Sequence, residues 1–430
     1  RNDDSFTPAG SLGHSWAAFM MGVPSDMSIA TNDSYATHTP YYAVYVQDNW
    51  RLTRRLSLNL GLRLEYEKGP TERFNRMIAY FDPQAALPIT KAVETAYAGR
   101  PVPELAPAGF AVHGGSQYAG AGSAGRRIWS NELMWLPRLS AAWQLDSNTV
   151  IRAGYGLFFD TLNVLNVAPN QSGFNRNTST TISNNFGMPW LAGDPGRGVS
   201  PLTDPFPVRS DGTRFDQPVG NALGLMALTG LGWTYNGFDM KHPRVQRWRL
   251  GVQRQIGKSM VFEAAYAGIR GDRIGINQRQ DALAEGYWAS GLVRNDMIAS
   301  DLSANVSNPF HISNLSGFSQ SDPTLYRELS VRPFFTSPTI RKNQLLRPFP
   351  HMNGLNLANL PYGKSRTDEL QVILERRFAK GFNLNVSYSR LRADSFSWVE
   401  NEFALPSTWT VSNNGRAHRF LATSIFELPF

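Results

Sequence analysis

"RLSLNLGLRLEYE" spans residues 55–67 and alternates without a break. Leu56, Leu58, Leu60, Leu62, Leu64 and Tyr66 share one parity; Ser57, Asn59, Gly61, Arg63, Glu65 and Glu67 share the other. Successive side chains of a strand leave opposite faces of the pleat, so this period means one apolar and one polar face. Ordinary strands run about 5–6 residues, whereas a tilted strand that crosses a bilayer needs about 9–11. The run is long enough to cross. Taken alone it fits a sandwich strand facing a soluble core equally well, and the rest of the chain has to decide.

A chain of 430 residues has room for two or three soluble domains or one large one. Only 18% of it is charged, low beside the roughly 25% of ordinary soluble domains. No window approaches 18 consecutive apolar residues, so a helical membrane span is excluded. Barrel strands escape that test because their lipid-facing and lumen-facing residues alternate. A mean hydropathy of -0.32 is therefore compatible with a membrane. Cysteine is absent, which excludes disulfides, thiolate metal sites and cysteine nucleophiles. The net charge of +8 comes from 42 scattered Lys and Arg with no basic run, and no nucleic-acid partner is expected. The opening "RNDDSFTPAG" shows no signal peptide, which fits either a protein that is not exported or an internal piece.

Further alternating segments come in pairs. "YYAVYVQDNW" (41–50) precedes the opening stretch. "PRLSAAWQL" (137–145) and "VIRAGYGLFF" (150–159) flank Asp146 to Thr149. "RWRLGVQRQI" (247–256) and "MVFEAAYAGI" (260–269) flank Gly257 to Ser259, and "ELQVILERRF" (369–378) and "FNLNVSYSRL" (382–391) flank Ala379 to Gly381. Turn residues between alternating runs predict four hairpins. "HSWAAFMMGV" (14–23) and "RFLATSIFEL" (419–428) are expected as two more strands, ten in all. Between the hairpins lie the long segments 68–136, 160–246 and 270–368, rich in Gly, Pro, Asn and Ser. Loops beyond about 12–15 residues are uncommon in compact domains. Here they fall on alternate connections, which puts short turns at one end of the strands and long loops at the other. Bacterial outer-membrane barrels have that asymmetry, with short periplasmic turns and long extracellular loops; a soluble sandwich has no reason for it.

Exceptions on the apolar faces test this reading. Asp48, Arg254 and Arg376 each share the apolar parity of their strand, and each lies within a few residues of a short turn. Charges facing lipid cost about 2–4 kcal/mol at the midplane but about 0–1 near the interface, where long side chains snorkel. Candidate interfacial aromatics near strand ends are Tyr41, Trp50, Tyr66, Trp143, Trp248, Phe378 and Tyr388. Candidate lumen-facing charges are Arg63, Arg138, Arg152, Arg247, Arg249 and Arg377 against Glu65, Glu263 and Glu375. They serve either as cross-strand ladders that brace a wetted wall or as a conduit favouring anionic solutes, and the two roles are compatible.

"YAVYVQDNWRLTRRLSLNLGLRLEYE" resembles the barrel hairpin of TonB-dependent outer-membrane transporters, and the set of strands resembles their Oar-like branch. "WAAFMMGVPS", "PRLSAAW" followed by "VIRAGYGLFFD", "QRWRLGVQRQIGKSMVFEAAYAGIRG", "ELQVILERRFAKGFNLNVSYSRL" and "AHRFLATSIFELPF" occur in the expected order along the chain. The resemblance covers most expected strands and little of the loops. It implies an antiparallel transmembrane β-barrel in the outer membrane of a Gram-negative bacterium. It also implies uptake of a scarce nutrient, energised by TonB, ExbB and ExbD through a plug. Such transporters resemble barrels of 22 strands. Residues 1–430 are therefore expected to be one segment of the barrel domain, without plug or N-terminal module, and "ELPF" resembles a turn from which the family's chain continues. Outer-membrane lipid is an expected partner. The ligand class, whether siderophore, oligosaccharide, peptide or cofactor, is open. A passive porin or a surface adhesin is the rival reading, and a soluble secreted β-protein a third.

Enzymatic motifs are lacking. "GAGSAG" (120–125) follows no expected strand and opens no helix, so it reads as a loop. The seven histidines, at 14, 38, 113, 242, 311, 351 and 418, have no metal-site spacing, and Asp194, Asp204 and Asp211 read as solvated turns. No nucleophile elbow occurs. No catalytic residue, metal site or resident cofactor is expected.

Overall fold

The computed structural model describes residues 16, 20, 26–122, 124–162, 170–181, 205–206, 208–288, 295–379, 381–401, 404–412 and 416–428. Nine long strands form one antiparallel meander. They are β1 (Tyr41–Arg51), β2 (Leu56–Glu67), β3 (Glu132–Gln144), β4 (Thr149–Phe159), β5 (Arg244–Ile256), β6 (Met260–Arg279), β7 (Leu355–Ala379), β8 (Phe382–Phe396) and β9 (His418–Phe426). Each pairs with its neighbours in sequence; among the described residues β1 and β9 are the edges and the barrel is not closed.

The four expected hairpins are present, and local chemistry closes their turns. Thr53 Oγ1 accepts hydrogen bonds from the backbone N–H groups of Arg55 and Leu56. Asp146 accepts from the N–H of Asn148. Gly257 and Gly381 adopt φ of +62° and +71°, where a Cβ would be strained. Register then carries one parity across the whole sheet. Leu60 lies opposite Asp48 and Leu139, while Gly61 lies opposite Gln47 and Arg138. On the apolar face Val46 is 68% exposed, Leu250 53% and Leu370 45%. Burying apolar surface is worth about 25 cal/mol per Å², so a continuous uncovered face of this kind fits a hydrocarbon solvent and not water.

Several strands outrun their expected bounds. β6 continues to Arg279 and β7 begins at Leu355, with bulges between Gly271 and Gln278. Alternation is imposed only where one face meets lipid; beyond that zone the backbones pair whatever the side chains. Of the ten expected strands nine are observed. Segment 14–23 lies outside the described residues except for Trp16 and Met20, and those two are helical.

The long connections are also more ordered than irregular loops. In the first, Ile78–Ala86 pairs with His113–Tyr118, and helix α1 (Thr90–Gly99) buries Val93 and Tyr97, whose ring stacks on Phe110 at 3.9 Å. Met226 and Trp233 from the second connection, and Phe310, Leu329 and Phe335 from the third, complete the same hydrophobic core. β7 starts inside this body, where Leu355–Ala358 pairs in parallel with Trp233–Asn236.

A buried ion cluster joins that body to the strand ends. His242 Nδ1 lies 2.7 Å from Glu132 and Nε2 lies 3.3 Å from Glu67, while Arg273 approaches the other oxygen of Glu132 at 2.8 Å. Burial alone would lower the His242 pKa. The hydrogen bond to Glu132 and the negative charges of Glu132 and Glu67 outweigh it and hold the pKa at about 9. The cluster is thus two cations against two carboxylates, tying β2, β3 and β6 to the segment that leads into β5.

Candidate functional site on the polar face

The run "GYGLFF" places Gly154 and Gly156 two apart on β4, so two successive positions of one face carry no side chain. Register surrounds this bare patch with cations. Arg138 lies opposite both Gly61 and Gly156, Arg247 opposite Gly156, Arg249 opposite Gly154, and Arg152 opposite Gly251. The ring of Phe158 folds back over Gly156, where an added Cβ would meet it at 2.8 Å. Arg138 and Arg247 flank that ring, their guanidinium carbons 4.9 and 5.5 Å from its centre. Glycine at 156 is therefore what lets one aromatic ring be shared between two cations.

The charges do not balance. Arg249 pairs with Glu263 at 2.9 Å, and Arg152 donates to Gln253 at 2.8 Å. Among the described residues neither Arg138 nor Arg247 has a carboxylate partner. A guanidinium presents five N–H donors in a fixed fork that matches a carboxylate or phosphate. Chemically, the depression over Asn59, Ser140, Gly154 and Gly156 can hold an anion between Arg138, Arg247 and Arg249.

The other polar-face candidates lie elsewhere on the sheet. Arg63 pairs with Glu65 along β2. Glu375 lies opposite Val261 and Asn385 towards the turn end, and Arg377 follows it just beyond the last regular pair, at the register break after Arg376. Of the aromatics, Trp50, Tyr66, Trp143, Trp248 and Tyr388 lie on the apolar face. Phe378 is exposed at the turn end. Tyr41 falls on the opposite face, because its register partner is Glu67, and its hydroxyl accepts from Arg63. Sequence reading missed Phe158 and the paired glycines, although the i, i+2 glycine spacing was visible. It also missed Tyr155 and Tyr266, which continue the apolar-face aromatics on β4 and β6.

The chain belongs to the family described as outer membrane beta barrel domain, which matches residues 2–430. It is thus an outer-membrane protein of the antiparallel β-barrel class. Solved structures similar to it include the alcaligin outer-membrane receptor FauA from Bordetella pertussis, with 10% identity over 93% of this chain and 36% of that one, at a TM-score of 0.31. Another is the ferric-catecholate import receptor Fiu from E. coli K12, with 11% identity, 91% and 32% coverage and a TM-score of 0.32. A third is the ferripyoverdine receptor of Pseudomonas aeruginosa, with 8% identity, 92% and 27% coverage and a TM-score of 0.32. The chain spans about a third of the length of these proteins. No curated protein matches it.

Proposed function

We propose that the chain is part of the wall and the folded outer loops of a transport barrel that takes up a scarce nutrient, and that it has no catalytic role. The observation that carries this reading is the cation surplus at Arg138, Arg152, Arg247 and Arg249 on the face opposite the apolar one. That face is the lumen in this reading, with Arg63, Glu65, Glu263, Glu375 and Arg377 on the same wall, and the cargo is an anionic solute. The unpaired edges of β1 and β9 support closure by further strands of a longer chain, which also supplies a plug that TonB, ExbB and ExbD act upon. The shared hydrophobic core of the long connections supports a receptor over an open porin, because packed loops limit free diffusion. Two measurements on the full-length parent test this. The periplasmic domain of TonB should bind the purified protein, and planar bilayers should show little standing conductance. Large steady conductance without TonB binding would instead establish a passive pore.

A further inference from the structure

The apolar face carries a second cluster of charge, at the loop end of the sheet and just beyond the aromatics. Along that face β5 runs Val252, Leu250, Trp248, Gln246, Arg244; β6 runs Ala264, Tyr266, Gly268, Arg270; and β8 runs Val386, Tyr388, Arg390, Arg392, Asp394. β7 supplies Leu370, Asp368, Arg366 and Lys364 on the same parity. Six cations, Arg244, Arg270, Lys364, Arg366, Arg390 and Arg392, thus share this zone with three carboxylates, Asp272, Asp368 and Asp394. Ion pairs use part of that charge. Arg244 meets Asp272 at 2.6 Å, Arg270 meets Asp368 at 2.9 Å, and Arg366 and Arg392 share Asp394 at 2.7 and 3.0 Å.

What remains is a net positive surface. Arg392 is 67% exposed at its side chain although paired, and the exposed Arg390 has no carboxylate partner among the described residues. The contrast with the turn end is informative. There, among the described residues, the apolar face carries the separate charges Asp48, Arg254 and Arg376 on different strands. A solvated rim would need no such difference.

We propose that Lys364, Arg366, Arg390 and Arg392 form a docking site for the phosphate groups of the glycolipid in the leaflet that the folded loops face. The site rests on the outer-membrane reading with those loops outward. Three features identify the occupant. Arg390 lies one side-chain step beyond Tyr388 and level with Tyr266 across Leu370, and Arg392, Arg366 and Lys364 follow towards the loops, the depth at which interfacial aromatics give way to headgroups. It faces the lipid side and not the polar side. Its net charge suits an anion, and arginine is the side chain that binds phosphate bidentately. The Asp394 carboxylate orients Arg366 and Arg392 through their Nε atoms; the Trp409 ring covers one face of the Arg366 guanidinium at 4.6 Å, so the more exposed Arg392 and Arg390 present their terminal nitrogens most freely to the lipid.

The test is lipid retention by the full-length parent in mild detergent, read by native mass spectrometry with bisphosphorylated and dephosphorylated lipid A as probes. The wild-type protein should retain the bisphosphorylated form. R390Q/R392Q should retain it about thirtyfold less, since each basic residue near an anionic surface contributes roughly a factor of five, while R254Q at the turn end should match the wild type. Equal retention by R390Q/R392Q, or equal retention of the dephosphorylated lipid by the wild type, overturns the proposal. The comparison of the two lipids on the wild type needs no variant to fold. A peptide tag at the exposed Gly122, labelled on intact cells, separates a failure of orientation from a failure of the site.

Discussion

Leu60 and Asn59 are neighbours in β2 with opposite fates. Leu60 points out of the apolar face and is 40% exposed, whereas Asn59 donates to Asn49 on the polar face. Leu60→Arg should cost about 2–4 kcal/mol of folding free energy and Asn59→Arg much less, measured for the full-length parent folding into lipid vesicles. Equal costs would remove the alternation. His242 gives a second prediction at this scale. Its folded pKa of about 9 lies above the ordinary 6.5, so the folded state holds its proton more tightly. The stabilisation is complete below about pH 6.5 and disappears as the pH rises through about 9; it is on the order of 3 kcal/mol. His242→Gln should abolish that alkaline slope in thermal unfolding and leave Arg273 as the one cation of the cluster against Glu67 and Glu132. An unchanged slope would show that His242 is not the titrating group.

At the scale of elements, depth along one strand decides what is tolerated. Val252 and Arg254 share the apolar face of β5, and Arg254 lies two residues nearer the turn. Val252→Arg should reduce folding stability in vesicles by at least about 2 kcal/mol, although arginine is the native residue two positions away. A soluble core strand would show no such gradient. The hairpins were legible because alternating runs and turn residues lie within a few positions of each other. The upper half of β7 was not. Its residues Asn356 to Lys364 follow no alternation, and they pair because Trp233–Asn236 and the bulged end of β6 lie beside them.

Across the whole molecule, the unpaired edges dominate. Among the described residues nothing pairs with the outer edges of β1 and β9, ladders of 11 and 9 residues, and backbone groups without partners are not tolerated in hydrocarbon. Expressed alone, residues 1–430 should fail to give a heat-modifiable, protease-resistant species in detergent. If one forms, the two edges meet and the barrel is narrower than proposed. The folded body of the long connections should respond to acid through His351, which is buried with Nε2 2.8 Å from the carbonyl oxygen of Gly114. Burial pushes its pKa down to about 4, so its contribution holds above about pH 6.5 and is lost as the pH falls towards 4. With His242 it should confine greatest stability to the region near pH 6.5, read as a maximum in unfolding temperature.

By itself the sequence determined the strands that face lipid, their pairing into hairpins, the end at which the turns lie and the parity of nearly every candidate side chain. A membrane forces that information into a period of two, readable one residue after another. Tertiary structure decided the rest. The shared core of the long connections gathers Tyr97, Met226 and Phe335 from three separate segments. The His242 cluster joins four, and the cations around Gly156 meet only through the register of β3, β4 and β5. Contacts between residues so distant in sequence leave no periodic trace, because each partner satisfies its own local geometry and only the fold brings them to one place.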